Sequence, residues 1–384
     1  MHRSRRRVGL CLQSSGAFAQ NLLRGLRLYE PEPPGWYITM LEPRDLMKAG
    51  RSRRWRGDGL IYAAMDRKLV DHVAALGVPA VNVVDRTTPL PDSSVISDEQ
   101  EIGRIAADHL LDKGFDHLAF TGTPTLRYSR EREQGFVERV EQAGRTCHIQ
   151  PDVLEMVRER YGARVARLSR WLESLPKPVG ILAYNDGRAH RVVTTAAMIA
   201  LRVPDQVAVL GVGNDRPLCE LTYPPLSSVD TNLPGRATSA GEVLDELMRS
   251  GPATSDGAIT RVPPTGIMPR LSTDTVAVPD PDVAEAERYI RLHAGEGITA
   301  QDVADHVSSS RRSLERRYSK HLGRGVGESL SAARRSIARR LLRETDMPIL
   351  QIALSSGFAS AASFATTFRR HQGLSPREYR KTQR

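Results

Sequence analysis

The amino-acid sequence predicts a two-lobed α/β domain followed by a smaller all-α domain. Between Val8 and about Thr273, short apolar runs alternate with amphipathic helical patterns such as those at 101–114 and 130–144. This alternation is typical of parallel sheets covered by helices, and it repeats too often for a single sheet. After residue 281 the pattern is helical throughout. We therefore predict an α/β domain over 6–272, a linker over 273–281 and an all-α domain over 282–384.

Seven apolar runs predict buried strands. Each run is short, apolar on both faces and bounded by Gly, Pro or Asp, as is typical of strands inside a parallel sheet. The runs are 8–12, 36–41, 59–64, 79–84, 117–122, 179–184 and 207–212.

The overall composition indicates an ordinary globular protein, with 40% hydrophobic and 26% charged residues in a chain of 384. No apolar run reaches the roughly 18 residues that cross a bilayer. The run that ends at Leu12 is too short for the core of a signal peptide. Cys11, Cys147 and Cys219 lie far apart without a C-x-x-C spacing. We expect a cytoplasmic protein without membrane contact, disulfides, metal or cofactor.

Positive charge is concentrated in the last hundred residues. Residues 281–384 hold 19 Lys and Arg against 11 Asp and Glu, whereas the first 280 residues hold 36 against 34. A basic domain attached to a nearly neutral one is the pattern expected of a nucleic-acid-binding protein. An arginine-rich composition with no functional meaning is the alternative that charge alone leaves open.

Polar segments follow several of the predicted strands, at 14–18, 123–132, 185–190 and 213–216. In doubly wound sheets ligands bind at the carboxyl ends of the strands. The four segments therefore predict a cleft between the two lobes that binds a small polar ligand. Plain solvated loops are the alternative.

Two parts of the all-α domain share one design, a short helix, a tight turn and a second helix. The first is capped by Thr299 and Ser310 and carries Ala304, while the second is capped by Ser360 and carries Ala353. Gly357 supplies the positive φ that a tight turn needs. The two alanines are 49 residues apart, and the long helix between them has an apolar face formed by Leu330, Ala333, Ile337 and Leu341.

These two helix-turn-helix units predict DNA binding in successive major grooves, which repeat about every 34 Å. Phe358, Phe364 and Phe368 are expected in the core, whereas small residues of the last unit approach bases and the arginines reach bases or phosphates. A solvated helix face is the alternative for the arginines. The predicted DNA-contacting residues are Ser310, Arg311, Arg312, Ser313, Arg316, Ser360, Ala361, Ala362, Ser363, Thr367, Arg369 and Arg370.

The run IALSSGFASAASFATTFRRHQGLSPREYR at 352–380 resembles the signature of the AraC-type transcription activators. That signature reads G-F-x-S-x-S-x-F-x-x-x-F-[KR], followed by G-x-S-P-x-x-Y-R. Ala362 departs from it beside Ser363. The resemblance covers about 100 residues and implies an AraC-type DNA-binding domain and RNA polymerase as a partner.

The first 270 residues resemble the sugar-sensing domains of LacI-type repressors, which are similar to periplasmic binding proteins. The order of the two domains resembles the xylose-operon activators, as do stretches such as EIGRIAADHLLDKGFDHLAFTG (101–122) and RVPPTGIMPRLSTD (261–274). The resemblance implies a homodimeric activator that is controlled by xylose or another pentose. A sensor of the same fold with a different effector is the alternative.

The same resemblance implies the residues that contact a sugar. Arg132 stands where LacI-type sensors have a sugar-binding arginine, and Asn185 and Asp186 stand where they have an Asn-Asp pair. Tyr128 and Phe18 are the expected aromatic contacts. An ion pair between Arg132 and Asp186 is the alternative.

One position departs from the resemblance inside the predicted cleft. Gly213 stands where the subgroup has an aspartate that is expected to bind sugar. We expect Asn214 or Asp215 to replace that carboxylate, or the effector to differ from xylose.

Two other classes of protein, an enzyme and a transport-type binding protein, agree less well with the sequence. An enzyme is not expected, since the motifs G-x-x-x-x-G-K-[ST], H-E-x-x-H and G-x-S-x-G are missing from the sequence. A transport-type binding protein would fit the first domain alone, but the basic helical domain argues against it.

Overall fold

The computed structural model divides into two compact units, Met1–Thr273 and Asp274–Arg384. It describes residues 5–12, 17–31, 35–47, 55–87, 89–91, 93–150, 161–250, 259–275, 277–278 and 280–382. Of the predicted polar segment at 14–18, residues 14–16 therefore lie outside the described residues.

The N-terminal unit contains two six-stranded sheets. In spatial order, the first sheet is β11 (Ile259–Val262), β5 (Ser94–Ser97), β4 (Ala80–Asn82), β3 (Gly59–Tyr62), β1 (Arg6–Cys11) and β2 (Trp36–Met40), all parallel. The second is β12 (Gly266–Met268), β10 (Ser227–Asp230), β9 (Val207–Val212), β8 (Val179–Ala183), β6 (His117–Thr121) and β7 (Thr146–Ile149). In this sheet β12 is antiparallel to β10, and the other pairs are parallel. The two sheets are the two predicted lobes.

Helices connect the strands and carry the chain between the sheets. They are α1 (Ala17–Leu28), α2 (Pro43–Met47), α3 (Arg67–Ala74), α4 (Glu99–Asp112), α5 (Arg127–Gln142), α6 (Tyr161–Ser174), α7 (Asp186–Met198), α8 (Arg216–Leu221) and α9 (Leu233–Ser250). Helix α4 packs closely on α5 because glycines face each other there. A Cβ added at Gly103 would lie 2.2 Å from the carbonyl oxygen of Arg132, and one at Gly135 would lie 2.1 Å from that of Gln100.

All seven predicted strands are present, but the burial of one was predicted wrongly. The run at 36–41 forms the edge strand β2, in which Tyr37, Ile38 and Met40 are exposed, because only one neighbour, β1, covers it in the sheet. Strands β5, β7, β10, β11 and β12 were not predicted. They have only three or four residues each, and most contain Ser, Thr or His in place of a continuous apolar run.

The C-terminal unit is helical, as predicted. Its helices are α10 (Pro281–His293), α11 (Ala300–His306), α12 (Arg311–Leu322), α13 (Val326–Glu344), α14 (Ile349–Ser355), α15 (Ala361–Gln372) and α16 (Pro376–Thr382), of which α16 was not predicted. One buried cluster contains Leu314 and Tyr318, and a second contains Phe364 and Phe368. Helix α13 contributes to both clusters, which confirms that it joins the two helix-turn-helix units.

Among the described helices, none combines the length and the apolar character that a membrane crossing requires. Within the same residues, no group of three or more His, Cys, Asp or Glu side chains is arranged to hold a metal ion.

Candidate ligand cavity and nucleic-acid interface

A cavity of about 660 Å³ lies where the strands of both sheets end in the N-terminal unit. Segments that follow β1, β3, β4, β5, β6, β8, β9 and β10 line it, as expected for doubly wound sheets. All four predicted polar segments reach this cavity through their described residues. The four segments therefore meet at one cavity, as expected. Of the predicted ligand contacts, Phe18, Tyr128, Arg132, Asn185, Asp186 and Asp215 line the cavity.

Arg132 is buried and fixed by neighbours from both sides of the cavity. Its Nε donates to Glu99 Oε2 at 2.5 Å, and its Nη1 donates to the carbonyl oxygen of Tyr184. Its guanidinium lies 4.9 Å from the centre of the Tyr128 ring. The alternative pairing of Arg132 with Asp186 is therefore not observed, because the close approach of α4 and α5 brings Glu99 to the arginine instead.

Asp186 is buried at the start of α7 and already accepts two hydrogen bonds. Its Oδ1 accepts from Ser228 Oγ at 2.6 Å, and its Oδ2 accepts from the backbone N–H of Asp215 at 2.7 Å. Burial raises the pKa of Asp186 above its ordinary value, while these two hydrogen bonds act in the opposite direction. Asn185 caps the same helix, since its side chain accepts from the backbone N–H of Arg188 at 2.7 Å.

Asn214, the remaining predicted ligand contact, is not among the described residues that line the cavity. Its φ of +51° turns the chain at this point. Its side-chain amide donates to Asp230 Oδ2 at 3.0 Å and accepts from Arg270 Nη2 at 2.9 Å. Asn214 therefore joins β9, β10 and the segment after β12, and its hydrogen-bonding capacity is used in doing so.

Gly213 lines the cavity and has a φ of +125°, which L side chains rarely adopt. A Cβ at this position would lie 3.3 Å from Asp186 Oδ2. An aspartate therefore does not fit here without a change of the backbone. Of the two expected replacements, Asp215 lines the cavity, where it also caps α8.

Four charged side chains of the cavity were not predicted. Asp85 and Arg86 follow β4 directly, so the rule that found the other polar segments applies to them as well. Glu99 follows β5, which was itself missed. Arg236 lies inside α9, where no local pattern separates a cavity arginine from a surface arginine.

Asp85 and Arg236 are buried with unsatisfied polar atoms. Among the residues that the structure describes, neither carboxylate oxygen of Asp85 has a hydrogen-bond partner, although Arg127 Nη1 forms an ion pair with Oδ1 at 3.6 Å. Burial raises the pKa of Asp85 to about 6. The Nε of Arg236 has no partner, although its other nitrogens donate to the Ser97 hydroxyl and to the carbonyl oxygen of Val83. Burial lowers the pKa of Arg236 to about 10. These atoms are free to bind a polar ligand.

Aromatic rings complete the cavity wall. The Tyr128 and Tyr184 rings lie 6.0 Å apart, and the Arg236 guanidinium lies 5.7 Å from the centre of the Phe18 ring. Burial raises the pKa of Tyr128 to about 12, so its phenol stays protonated at neutral pH.

The two helix-turn-helix units of the C-terminal unit have matching geometry. The backbone N–H of Ser309 donates to the carbonyl oxygen of Ala304, and that of Phe358 donates to Ala353, at 3.0 Å in both units. Ser308 and Gly357 occupy equivalent turn positions with φ of +52° and +77°. The repeat that the sequence predicts at a spacing of 49 residues is thus present in the backbone.

The predicted caps of these units are confirmed. Thr299 forms a capping box with Asp302, Ser310 accepts from the backbone N–H of Ser313 at 3.2 Å, and Ser360 accepts from that of Ser363 at 3.1 Å. A Cβ at Gly357 would lie 2.0 Å from the carbonyl oxygen of Ala294, the residue that follows α10, so only glycine fits there.

The predicted DNA-contacting residues lie at the starts and outer faces of α12 and α15. Ser310, Arg311, Arg312 and Arg316 are exposed in the first unit, as are Ser360, Ala362, Ser363, Arg369 and Arg370 in the second, whereas Ser313, Ala361 and Thr367 are half-buried. Within the described residues, Arg311, Arg312 and Arg316 form no ion pair with a carboxylate. Phe364 and Phe368 are fully buried and Phe358 packs beside them, which confirms their core role.

Comparison with known proteins finds two domain families in this chain. A periplasmic binding protein-like domain matches residues 107–273, and a helix-turn-helix domain matches residues 303–382. The xylose operon regulatory protein of Escherichia coli K12 is 28% identical over 99% of this chain and 98% of its own length. The xylose operon regulatory protein of Haemophilus influenzae is 25% identical over 97% of this chain and 98% of its own length. A solved xylose-binding transcription activator matches with a TM-score of 0.74 and 28% identity over 100% of this chain and 99% of its own.

The cavity, the paired helix-turn-helix units and these matches define a DNA-binding transcription regulator with a periplasmic-binding-protein-like domain in front of an AraC-type domain. The likeness extends over the whole chain rather than over one domain. This transcription regulator is similar to the xylose operon regulatory proteins over nearly its whole length.

Proposed function

We propose that this regulator is an activator whose DNA binding is controlled by a small sugar, xylose or another pentose, in the cavity of the N-terminal unit. The observation that supports this most strongly is the composition of the cavity, where aromatic rings and buried charged groups meet at the ends of both sheets. Aromatic faces suit a sugar ring, and carboxylate, amide and guanidinium groups suit its hydroxyls.

The proposed ligand contacts are Phe18, Tyr128, Arg132, Asn185, Asp186 and Asp215, together with Asp85 and Arg236. Asp85 and Arg236 are the strongest additions, because a sugar hydroxyl can satisfy polar atoms that have no hydrogen-bond partner among the described residues. Residues 6–272 are the proposed sensor domain and residues 282–384 the proposed DNA-binding domain.

On the DNA side, we propose that α12 and α15 enter successive major grooves. The exposed arginines Arg311, Arg312 and Arg316 read bases or bind phosphates, and Arg369 and Arg370 bind phosphates. A homodimer would place four such helices on DNA. RNA polymerase as a partner, a cytoplasmic location and the lack of an enzymatic activity belong to the same proposal and are supported by the kind of proteins to which the chain is similar.

The test uses the full chain in two binding experiments. A randomised duplex pool is selected with the protein, and the affinity for the selected DNA is measured by fluorescence anisotropy at several salt concentrations. Two to five phosphate-binding arginines predict that log K falls with log salt with a slope between about −2 and −5 per protomer. Separately, pentoses and hexoses are screened for thermal stabilisation. No DNA binding at low salt would refute the regulator, and no stabilisation by any sugar would refute the effector.

A further inference from the structure

Two ion pairs connect the two lobes of the N-terminal unit beside the cavity. Arg127 Nη1 lies 3.6 Å from Asp85 Oδ1, and Arg261 Nη1 donates to Glu131 Oε2 at 3.0 Å. Asp85 follows β4 and Arg261 lies in β11, so both belong to the lobe of the first sheet. Arg127 and Glu131 lie in α5, which packs against β6 and β7 of the second sheet. Both pairs therefore join one lobe to the other.

The four side chains form one row of alternating charge, which we call the interlobe clasp (Asp85, Arg127, Glu131 and Arg261). Positions four apart on a helix share one face, and Arg127 Nη2 donates to Glu131 Oε1 at 2.6 Å. The exposed fractions of the side chains are 3%, 18%, 16% and 38% in the order of the row. Because three of the four are mostly buried, water and salt screen the clasp less than a surface ion pair.

The inner end of the interlobe clasp lies in the wall of the cavity. Asp85 lines the cavity, as do Leu126 and Tyr128 on either side of Arg127 in the chain. The start of α5 thus contributes both to the cavity wall and to the clasp. A separation of the lobes at this point breaks the clasp and opens the wall in the same movement.

The backbone connections between the lobes are gathered at one place. The chain crosses from β5 to α4, from β10 to α9 and from β11 to β12. The backbone N–H of Asp98 donates to the carbonyl oxygen of Val262 at 2.9 Å, and the Asn232 side-chain amide donates to that of Pro263 at 3.2 Å. Adjacent connections of this kind allow two lobes to rotate about them. Side-chain contacts between the lobes then decide how readily the lobes separate.

We propose that the interlobe clasp gates the cavity, so that Arg127, Glu131 and Arg261 set how fast a sugar enters and leaves. The inference rests on the proposed function, because it requires a sugar in the cavity. The clasp consists of protein side chains alone and therefore acts on entry as well as on exit. Its loss speeds both steps and changes the affinity less than either rate. The loss of a ligand contact would instead speed dissociation and weaken the affinity by a similar factor.

The first measurement tests the contact between the lobes without a ligand. Glu131→Gln and Arg261→Gln are made alone and together in the full chain, and urea unfolding is followed by tryptophan fluorescence. If the pair forms, the combined effect on the unfolding equilibrium constant should be at least about 3-fold smaller than the product of the single effects. Effects that simply multiply would overturn the clasp.

The matched control for this cycle combines Glu131→Gln with Arg139→Gln. Arg139 also lies in α5, but its Nε pairs at 2.6 Å with Asp108, inside the lobe of the second sheet. The effects of these two substitutions should multiply, because the two side chains belong to different ion pairs.

The second measurement tests the gate, by stopped-flow binding and displacement of D-xylose on the full chain. Glu131→Gln and Arg261→Gln should each raise the association and dissociation rate constants by about 3- to 10-fold, while the dissociation constant changes by less than about 2-fold. Arg139→Gln should leave both rate constants unchanged. Wild-type rate constants in both clasp variants, or a change confined to dissociation, would refute the gate.

The outcomes separate this inference from the proposed function. If the wild-type protein binds D-xylose and the clasp variants bind and release it at the same rates, the gate is wrong while the proposed function stands. If the wild-type protein binds neither D-xylose nor any other sugar of the thermal screen, the proposed effector is wrong. The unfolding cycle then decides by itself whether the clasp holds the lobes together.

Discussion

Replacing the buried carboxyl of Asp85 by an amide should stabilise the N-terminal unit at neutral pH. Asp85 is 6% exposed and neither of its oxygens has a hydrogen-bond partner. Burial raises its pKa from 3.8 to about 6, and Arg127 opposes this increase only partly. Asp85→Asn removes the charge and keeps the shape of the side chain.

The magnitude follows from the linkage of proton binding to folding. A pKa of about 6 in the folded state against 3.8 in the unfolded state corresponds to about 3 kcal/mol. Between these two values the folded protein binds more protons than the unfolded one, so stability falls as the pH rises. Relative to the wild-type protein, the free energy of unfolding of Asp85→Asn should therefore be unchanged below about pH 4. The difference should grow between about pH 4 and 6 and stay at about 3 kcal/mol in favour of the variant above that.

The assay is urea unfolding followed by tryptophan fluorescence at several pH values. All three tryptophans, Trp36, Trp55 and Trp171, lie in the N-terminal unit, so the signal reports that unit alone. Asp71→Asn is the control, because that side chain is exposed on α3 and paired only with Arg67 at the surface; its effect should stay within about 0.5 kcal/mol. An Asp85→Asn variant that is no more stable at pH 7, or equally favoured at pH 4, would refute the reasoning.

Three further predictions concern the turns and the DNA interface. Gly213→Ala and Gly266→Ala strain the backbone alike, because both positions have a strongly positive φ, +125° and +128°. Each variant should therefore lose about 1–2 kcal/mol of folding free energy. Only Gly213→Ala should also weaken sugar binding in a thermal-shift titration, and equal sugar affinities of the two variants would contradict the place of Gly213 in the cavity. Gly357→Ala should destabilise the helical unit by at least about 2 kcal/mol more than Gly323→Ala in thermal unfolding followed by circular dichroism, because only the former adds a clash to a positive φ. Arg370→Gln should make the slope of log K against log salt concentration shallower by about 1, whereas the control Arg324→Gln, which removes an ion pair with Glu287, should leave it unchanged. An unchanged slope in Arg370→Gln would show that Arg370 does not bind a phosphate.

The helical unit could be predicted closely because its signals are local. Caps at Thr299, Ser310 and Ser360 fall at helix starts, and the glycine at 357 marks a turn where a Cβ has no room. The distance of 49 residues between the two helix-turn-helix units can be read directly from the sequence. Only α16 was missed, although its sequence lay inside the signature that the resemblance used.

The cavity could be predicted in part, for a physical reason. Side chains that follow apolar strands are visible in the sequence, and six of the seven predicted contacts line the cavity. Asn214 does not line the cavity in the described residues, because at a φ of +51° its amide bonds to Asp230 and Arg270, which lie 16 and 56 residues further along the chain. Arg236 was missed because it lies in the first turn of α9, shortly after β10, and that strand was itself not predicted.

The linker shows the same limit most clearly. Its lack of periodicity predicts a linker. In the structure the hydroxyl of Thr273 bonds to Ser227, the carbonyl oxygen of Asp274 accepts from Arg291, and the carboxylate of Asp280 accepts from Arg317. These partners are distant in sequence from the linker, so the sequence pattern alone does not reveal the contacts.

The central claim, that a sugar in the cavity controls DNA binding, is tested most directly by one titration. The full chain is titrated onto its selected duplex by fluorescence anisotropy with and without a saturating sugar, whose binding is followed in the same samples by tryptophan fluorescence. The account predicts a change in the dissociation constant for DNA of about 5-fold or more. Equal dissociation constants with the sugar demonstrably bound would contradict it.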